Sequence, residues 1–206
     1  MAEFANPLER WNSRFNREDY LFGEQPNAYL LEQFEKLNKG KTLCIADGEG
    51  RNSVWLASQG LEVDAFDFSP VAVEKAKKLA ANRGVQANFV CSTWQSFPFQ
   101  AAHFDNVVGV FFQFASPDER AQLFSKLDAC LRPGGILLIQ GYGKDQLKYN
   151  TGGPGVLENL YDEALLKTAF ANYTVLHSAT YTAEVDEGDG HRGMSALVGF
   201  VARKPG

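Results

Sequence analysis

The chain has 206 residues, 45% hydrophobic and 22% charged, with 20 Lys and Arg against 25 Asp and Glu. That length suits one domain, residues 1–206, able to bury a core without disulfides or metals. A net charge of −5 disfavours a phosphate-backbone partner, and no apolar run approaches the roughly 18–20 residues of a membrane span, so neither nucleic acid nor membrane is expected as a partner.

Along the chain, the opening stretch interleaves Trp11, Phe15, Tyr20 and Phe22 with Arg10, Arg14, Arg17, Glu18 and Asp19, and Gly23 and Pro26 punctuate it. Asn27 is an N-cap for a helix expected over 28–37, where Leu30, Leu31, Phe34 and Leu37 recur at helical spacing. A short apolar strand, 42–46, then runs into Asp47-Gly48-Glu49-Gly50 and a helix stopped by Gly60. The next strand is 61–66. Ser69 caps a helix over 70–83, ended by Gly84. Further strands are expected at 88–91 and 106–111. Ser116 caps a helix over 117–130, and Pro133-Gly134-Gly135 turns into a strand at 136–139. After a helix from about residue 161, strands at 174–182 and 195–202 flank the acidic loop Glu187-Gly188-Asp189-Gly190 as a hairpin.

Strand and helix alternate from 42 to 139, and the strands are continuously apolar. Both features predict an α/β fold, a doubly wound Rossmann-like, mostly parallel sheet with helices on both faces and a C-terminal antiparallel hairpin. Cys44, Cys91 and Cys130 form no Cys-x-x-Cys pair, which fits a reducing compartment. The opening Met1-Ala2-Glu3-Phe4 has no basic-then-apolar leader pattern, so a cytoplasmic location is expected. His103 and His177 lack metal-ligand spacing, and no metal is predicted.

A glycine pair that follows a strand, opens a helix and precedes an acid at the end of the next strand, Asp67, outlines a nucleotide site. Two cofactors fit that outline, a nicotinamide dinucleotide and S-adenosylmethionine. A pyrophosphate at this turn would meet Asp47 and Glu49, and Ser53 stands at the third glycine position. A cationic sulfonium and ammonium suit the same acids. Capping of the helix N-terminus is the structural alternative for either carboxylate.

The block from Leu43 to Ile139 resembles a class I S-adenosylmethionine-dependent methyltransferase. Gly48-Glu49-Gly50-Arg51-Asn52-Ser53 resembles the first motif, Asp67-Phe68-Ser69-Pro70 the end of the second strand, and Phe97-Pro98-Phe99 before Phe104-Asp105-Asn106 the run into the fourth. Leu131-Arg132-Pro133-Gly134-Gly135-Ile136-Leu137 is the most specific piece. Three further segments resemble the tellurite-resistance and thiopurine-methyltransferase-like branch: Trp11-x-x-Arg14-Phe15 with Phe22-Gly23-x-x-Pro26-Asn27, then Tyr149-x-Thr151-Gly152-Gly153-Pro154, then Glu187-Gly188-x-x-His191. Cys44 and Ala46 stand where the family has an acid and its first glycine. Thr93 stands where it often has an acid toward adenine.

The resemblance implies a seven-stranded sheet with residues 1–41 as an N-terminal cap segment, 42–142 as the cofactor core and 143–206 as the acceptor side. It implies S-adenosyl-L-methionine as cofactor, held by Arg14, Ala46, Asp47, Gly48, Gly50, Asn52, Asp67, Phe68, Thr93, Trp94 and Phe111. In that set Arg14 pairs with the cofactor carboxylate, Asp67 accepts from the ribose hydroxyls, Phe68 and Trp94 flank the adenine, and Phe111 lines the methyl-transfer pocket. Helix capping by Asp67, core packing of both aromatics and a solvated Arg14 are the structural alternatives. The acceptor is a small molecule, with a soft sulfur, selenium or tellurium nucleophile implied by the branch. If it needs a base, His191, Tyr149 and Glu187 are the candidates. Arg120 would attract an anionic acceptor. A monomer or weak homodimer is expected. The alternative is an S-adenosylmethionine-binding sensor or interaction module without transfer, motivated by Cys44, Ala46 and Thr93.

Overall fold

The computed structural model describes residues 6–149 and 151–206. The opening tetrapeptide read above lies outside them. Seven strands form one sheet in the order β3-β2-β1-β4-β5-β7-β6. They are β1 (Lys41–Ile45), β2 (Glu62–Asp67), β3 (Asn88–Cys91), β4 (Phe104–Val110), β5 (Leu131–Tyr142), β6 (Thr174–Glu187) and β7 (His191–Arg203). The first five pair in parallel; β7 runs antiparallel to both β5 and β6.

The helices are α1 (Pro7–Phe15), α2 (Ala28–Gln33), α3 (Arg51–Ser58), α4 (Pro70–Arg83), α5 (Pro117–Cys130) and α6 (Glu163–Ala169). Strand side chains alternate between faces. Leu43, Ile45, Val107, Leu137 and Ile139 pack on Leu123 and Leu127 of α5, on Leu166 of α6 and on Phe170 at that helix's C-terminal cap. Cys44, Val63, Ala65, Val108 and Leu138 pack on Tyr29 and Leu30 of α2 and on Leu56 of α3. Val54 of α3 meets Leu79 and Ala80 of α4. The sheet is thus covered on both faces, as its continuously apolar strands require.

α4 and α5 keep the bounds their caps predict. The Ser69 hydroxyl accepts from the Ala72 N–H, and Ser116 with Glu119 forms a capping box. Four expectations change: the strand expected at 136–139 runs as β5 from Leu131 to Tyr142, taking in Pro133-Gly134-Gly135. The helix expected over 28–37 is α-helical only to Gln33 and tightens into a 3-10 turn at Phe34–Lys36. The opening stretch contains a helix, α1, capped by Asn6 and started by Pro7. The two hairpin strands run longer than expected, so that their connecting turn reaches back to the N-terminal segment. No helix among the described residues is long and apolar enough to cross a membrane.

Candidate functional site

Strand order reverses between β1 and β4, and the crevice beyond their carboxyl ends is where open α/β sheets bind ligands. Each strand is followed directly by a non-glycine residue in the left-handed region, Ala46 at φ +46° after β1 and Phe111 at φ +54° after β4. Such backbone costs about 1–3 kcal/mol and concentrates at ligand sites. Ala46 therefore does with strain what the family's first glycine does freely. Gly50, at φ +89°, serves packing instead: a Cβ there would stand 2.7 Å from the Ala76 Cβ of α4.

Asp67 closes β2 and is buried. Its two carboxylate oxygens accept from the Gly48 and Ser69 N–H groups, each at 2.9 Å. It thus ties the glycine loop to the start of α4. Asp47 accepts from the Ser53 hydroxyl through one oxygen, while Oδ1 is buried with no partner among the described residues. Burial, with the charge of Asp67 adding and the Ser53 bond opposing, pushes its pKa up to about 7.

Glu49 is a correction. Its carboxylate does not remain free to meet a ligand's charge; it lies 2.5 Å from the Lys75 Nζ. Its Oε2, like Asp47 Oδ1, has no hydrogen-bond partner among the described residues. Asn52, expected at the cofactor, accepts from the Asn27 N–H at 2.9 Å and so fixes the start of α2. Cys44 faces the core, where burial pushes its thiol well up.

The adenine side divides. Phe68 is half-buried beside Asp67. The Trp94 ring belongs to the α5-side core, with the Lys126 Nζ 5.8 Å from its centroid, so core packing accounts for its side chain. Thr93 is exposed, and its hydroxyl caps its own turn, accepting from the Ser96 N–H at 3.3 Å.

Beyond β4 and β5 lies an aromatic cluster. The His191 ring centroid is 4.2 Å from those of both Phe22 and Phe111, and 5.7 Å from that of Tyr142. Burial, helped by the charges of Arg51 and Arg14 and opposed by Glu187, holds the His191 pKa below its ordinary value. Its Nδ1 has no hydrogen-bond partner among the described residues. Arg14 is half-buried over the Trp11 ring at 4.6 Å. Glu187 is fully engaged. It accepts from Arg51 at 2.6 Å, Asn27 Nδ2 at 2.8 Å and the Ala28 N–H at 3.2 Å. Burial raises its pKa, but the His191 and Arg51 partners outweigh that and bring it down to about 2. Such a group holds structure and takes no proton at neutral pH.

Tyr149 ends the 3-10 turn Lys144–Lys148, and no hydrogen bond or ring contact among the described residues joins it to this cluster. Arg120 donates to the Glu158 carbonyl at 2.6 Å, and His177 bonds the Tyr29 hydroxyl at 2.8 Å. No metal-ligand cluster is found among the described residues.

An N-terminal segment and the hairpin turn close over the crevice together. The Gly190 N–H donates to the Leu21 carbonyl at 3.0 Å, and Arg17 pairs with Asp189 at 2.8 Å. A Cβ on Gly190 would lie 2.1 Å from the Phe22 ring. Sequence reasoning missed Tyr142 and the tethers Arg51 and Lys75; the only local signal for the tethers was a charge standing beside the glycine loop or on α4.

Residues 43–135 match the family model described as a methyltransferase domain. The cosubstrate that the family implies is S-adenosylmethionine. Over 97 residues the chain is 28% identical to uncharacterized proteins of Mycobacterium tuberculosis and Mycobacterium bovis, covering 47% of this chain and 35% of each relative. The match thus spans about a third of those relatives' length. A structure from work on the conversion of a disulfide bond into a thioacetal group during echinomycin biosynthesis superposes with a TM-score of 0.76 at 20% identity, covering 95% of this chain and 88% of that one. TehB from Haemophilus influenzae gives 0.71 at 17% identity, over 86% and 62%. At such identities the likeness is one of fold.

Proposed function

We propose that the protein is an S-adenosylmethionine-dependent methyltransferase acting on a small molecule with a soft sulfur, selenium or tellurium nucleophile. The observation that carries this is the loop Asp47–Gly50 at the β1/β4 reversal, with one buried Asp47 oxygen unpartnered. An unpaired carboxylate oxygen in such a place fits an ammonium or sulfonium ligand and repels a pyrophosphate.

When bound, S-adenosylmethionine supplies a methyl group already activated on a sulfonium. The chain's task is then to bind, orient and exclude water. Asp47 and the backbone of Ala46 and Gly48 take the amino-acid end, with Arg14 on the carboxylate. Asp67 keeps acceptor lone pairs for ribose hydroxyls beside its two backbone bonds. Phe68 lies against the adenine, and Phe111 lines the transfer pocket. Glu187 is locked in its ion pair and does not serve as base. A nucleophile already ionised at neutral pH asks for none, which supports a soft acceptor. The structural neighbour from disulfide-to-thioacetal work concerns sulfur chemistry as well.

A second reading, cofactor binding without transfer, is favoured by Thr93, whose hydroxyl is occupied by its own turn where an acid would face adenine. Calorimetric titration with S-adenosylmethionine, followed by incubation with thiols, selenide and tellurite, separates the two. Formation of S-adenosylhomocysteine supports transfer. Binding without it supports the second reading, and no binding at millimolar cofactor removes both.

A further inference from the structure

Tyr142, the last residue of β5, is 2% exposed, and its ring centroid lies 4.6 Å from that of Phe111, the two planes tilted by 37°. Its hydroxyl is buried with no hydrogen-bond partner among the described residues. A buried phenol left unpaired lowers stability, and folded proteins keep few such groups. This one is held in place deliberately. Gly152 and Gly153, at φ +138° and +92°, fold over the ring, and a Cβ at Gly152 would stand 2.5 Å from the Tyr142 Oη.

A second unpaired group lies beside it. His191 is 9% exposed, and its Nδ1 is 3.9 Å from the Glu187 carboxylate, beyond hydrogen-bond range. The same Glu187 oxygen already accepts from Arg51. Arg14 has no acidic partner among the described residues, and its charge is felt at both Tyr142 and His191. Arg51 is paired with Glu187 at 2.6 Å.

We propose that Tyr142 and His191 form a subsite for an anionic group of the methyl acceptor, a carboxylate or an ionised thiol, to which Tyr142 Oη donates a hydrogen bond. The assignment rests on the methyltransferase reading. Tyr142 is a positioning residue here, and the acceptor class it selects is a small anion.

The test titrates benzoate and its neutral counterpart benzamide into the full chain saturated with S-adenosylhomocysteine. Benzoate is expected to bind roughly tenfold more tightly than benzamide, as a charge-assisted bond requires. Tyr142→Phe should weaken benzoate by about fivefold to tenfold. It should leave S-adenosylhomocysteine affinity within about twofold and Tm equal or higher, because the lost hydroxyl had no partner. Equal binding of benzoate and benzamide, or of benzoate to wild type and variant, overturns the subsite. A parallel loss of S-adenosylhomocysteine affinity also overturns it, since the phenol would then serve the cofactor carboxylate. Arg14→Gln separates these sources again: it should weaken S-adenosylhomocysteine and leave the benzoate-to-benzamide ratio of the saturated protein unchanged, and a fall in that ratio would place benzoate on the cofactor carboxylate's partner and overturn the subsite. Failure of the methyltransferase reading shows separately, as absence of S-adenosylhomocysteine binding, and the benzoate comparison then stands on the free protein.

Discussion

The Lys75 ammonium lies 2.5 Å from the Glu49 carboxylate, and the same Nζ donates to the carbonyls of Phe15, Arg17 and Asp19. One cation on α4 therefore fastens the glycine loop to the segment that covers it. Breaking a buried pair strands the surviving charge, at a cost of about 3–5 kcal/mol. Lys75→Met should destabilise the fold by roughly 3 kcal/mol and expose the N-terminal segment. Urea unfolding measures the first effect. Limited trypsin digestion after Arg14 and Arg17 reads the second, and digestion no faster than wild type would remove Lys75 from this role.

Asp47 gives the site a pH dependence of definite sign. Its folded pKa, about 7, lies above the ordinary 3.8. Between those values the native state holds a proton that the unfolded chain has released. Its contribution to stability is therefore fully present at or below about pH 4 and is lost as pH rises to about 7. Affinity for a cationic cofactor should rise over the upper part of the same window, as the carboxylate ionises. Asp47→Asn should flatten both slopes, followed by urea unfolding and cofactor titration at pH 5 and pH 8. An unchanged cofactor slope in the variant would place the titrating group elsewhere.

Glu187 works in the opposite sense. Its folded pKa, about 2, lies below the ordinary 4.5 because His191 and Arg51 overcome the penalty of burial. The stability it supplies is present above about pH 4.5 and is lost as pH falls toward 2. Glu187→Gln should destabilise the protein at pH 7 by about 2–4 kcal/mol and have a much smaller effect near pH 2.5. Denaturant midpoints at the two pH values measure the difference.

Asp67 joins two backbone segments at once. Asp67→Ala frees the Gly48 and Ser69 N–H groups and should weaken cofactor binding by roughly tenfold or more, the size of one lost charge-assisted bond. Calorimetry on a variant with native circular dichroism is the measurement. Unchanged affinity would confine Asp67 to the loop it braces.

Much of the fold was legible because its signals are local. Ser69 with Gly84, and Ser116 with Glu119, mark α4 and α5 within a few residues of each end. α1 escaped notice because it buries only Phe15 and shows no apolar stripe until the rest of the domain supplies a surface. The glycine loop and Asp67 were legible from spacing. The partners of Glu49, Glu187 and Tyr142 were not, since each meets groups from distant parts of the chain. Arg51 and Glu187 are 136 positions apart. Trp94 shows the same limit: the turn after β3 was recognisable, but which face of the sheet receives the indole is decided by α5.

The placement of β7 between β5 and β6 bears on how the molecule is made. The parallel strands are all translated by residue 142, yet β5 keeps an open edge until residues 191–203 emerge and pair with it. Exposed strand edges invite pairing between chains, so a nascent chain halted in this interval is at its most prone to aggregate. The Phe22–His191 contact joins early-made and late-made polypeptide, so the cluster beyond β4 appears only after β7 has left the ribosome. The aromatic cluster is thus assembled only after the parallel sheet that supports it.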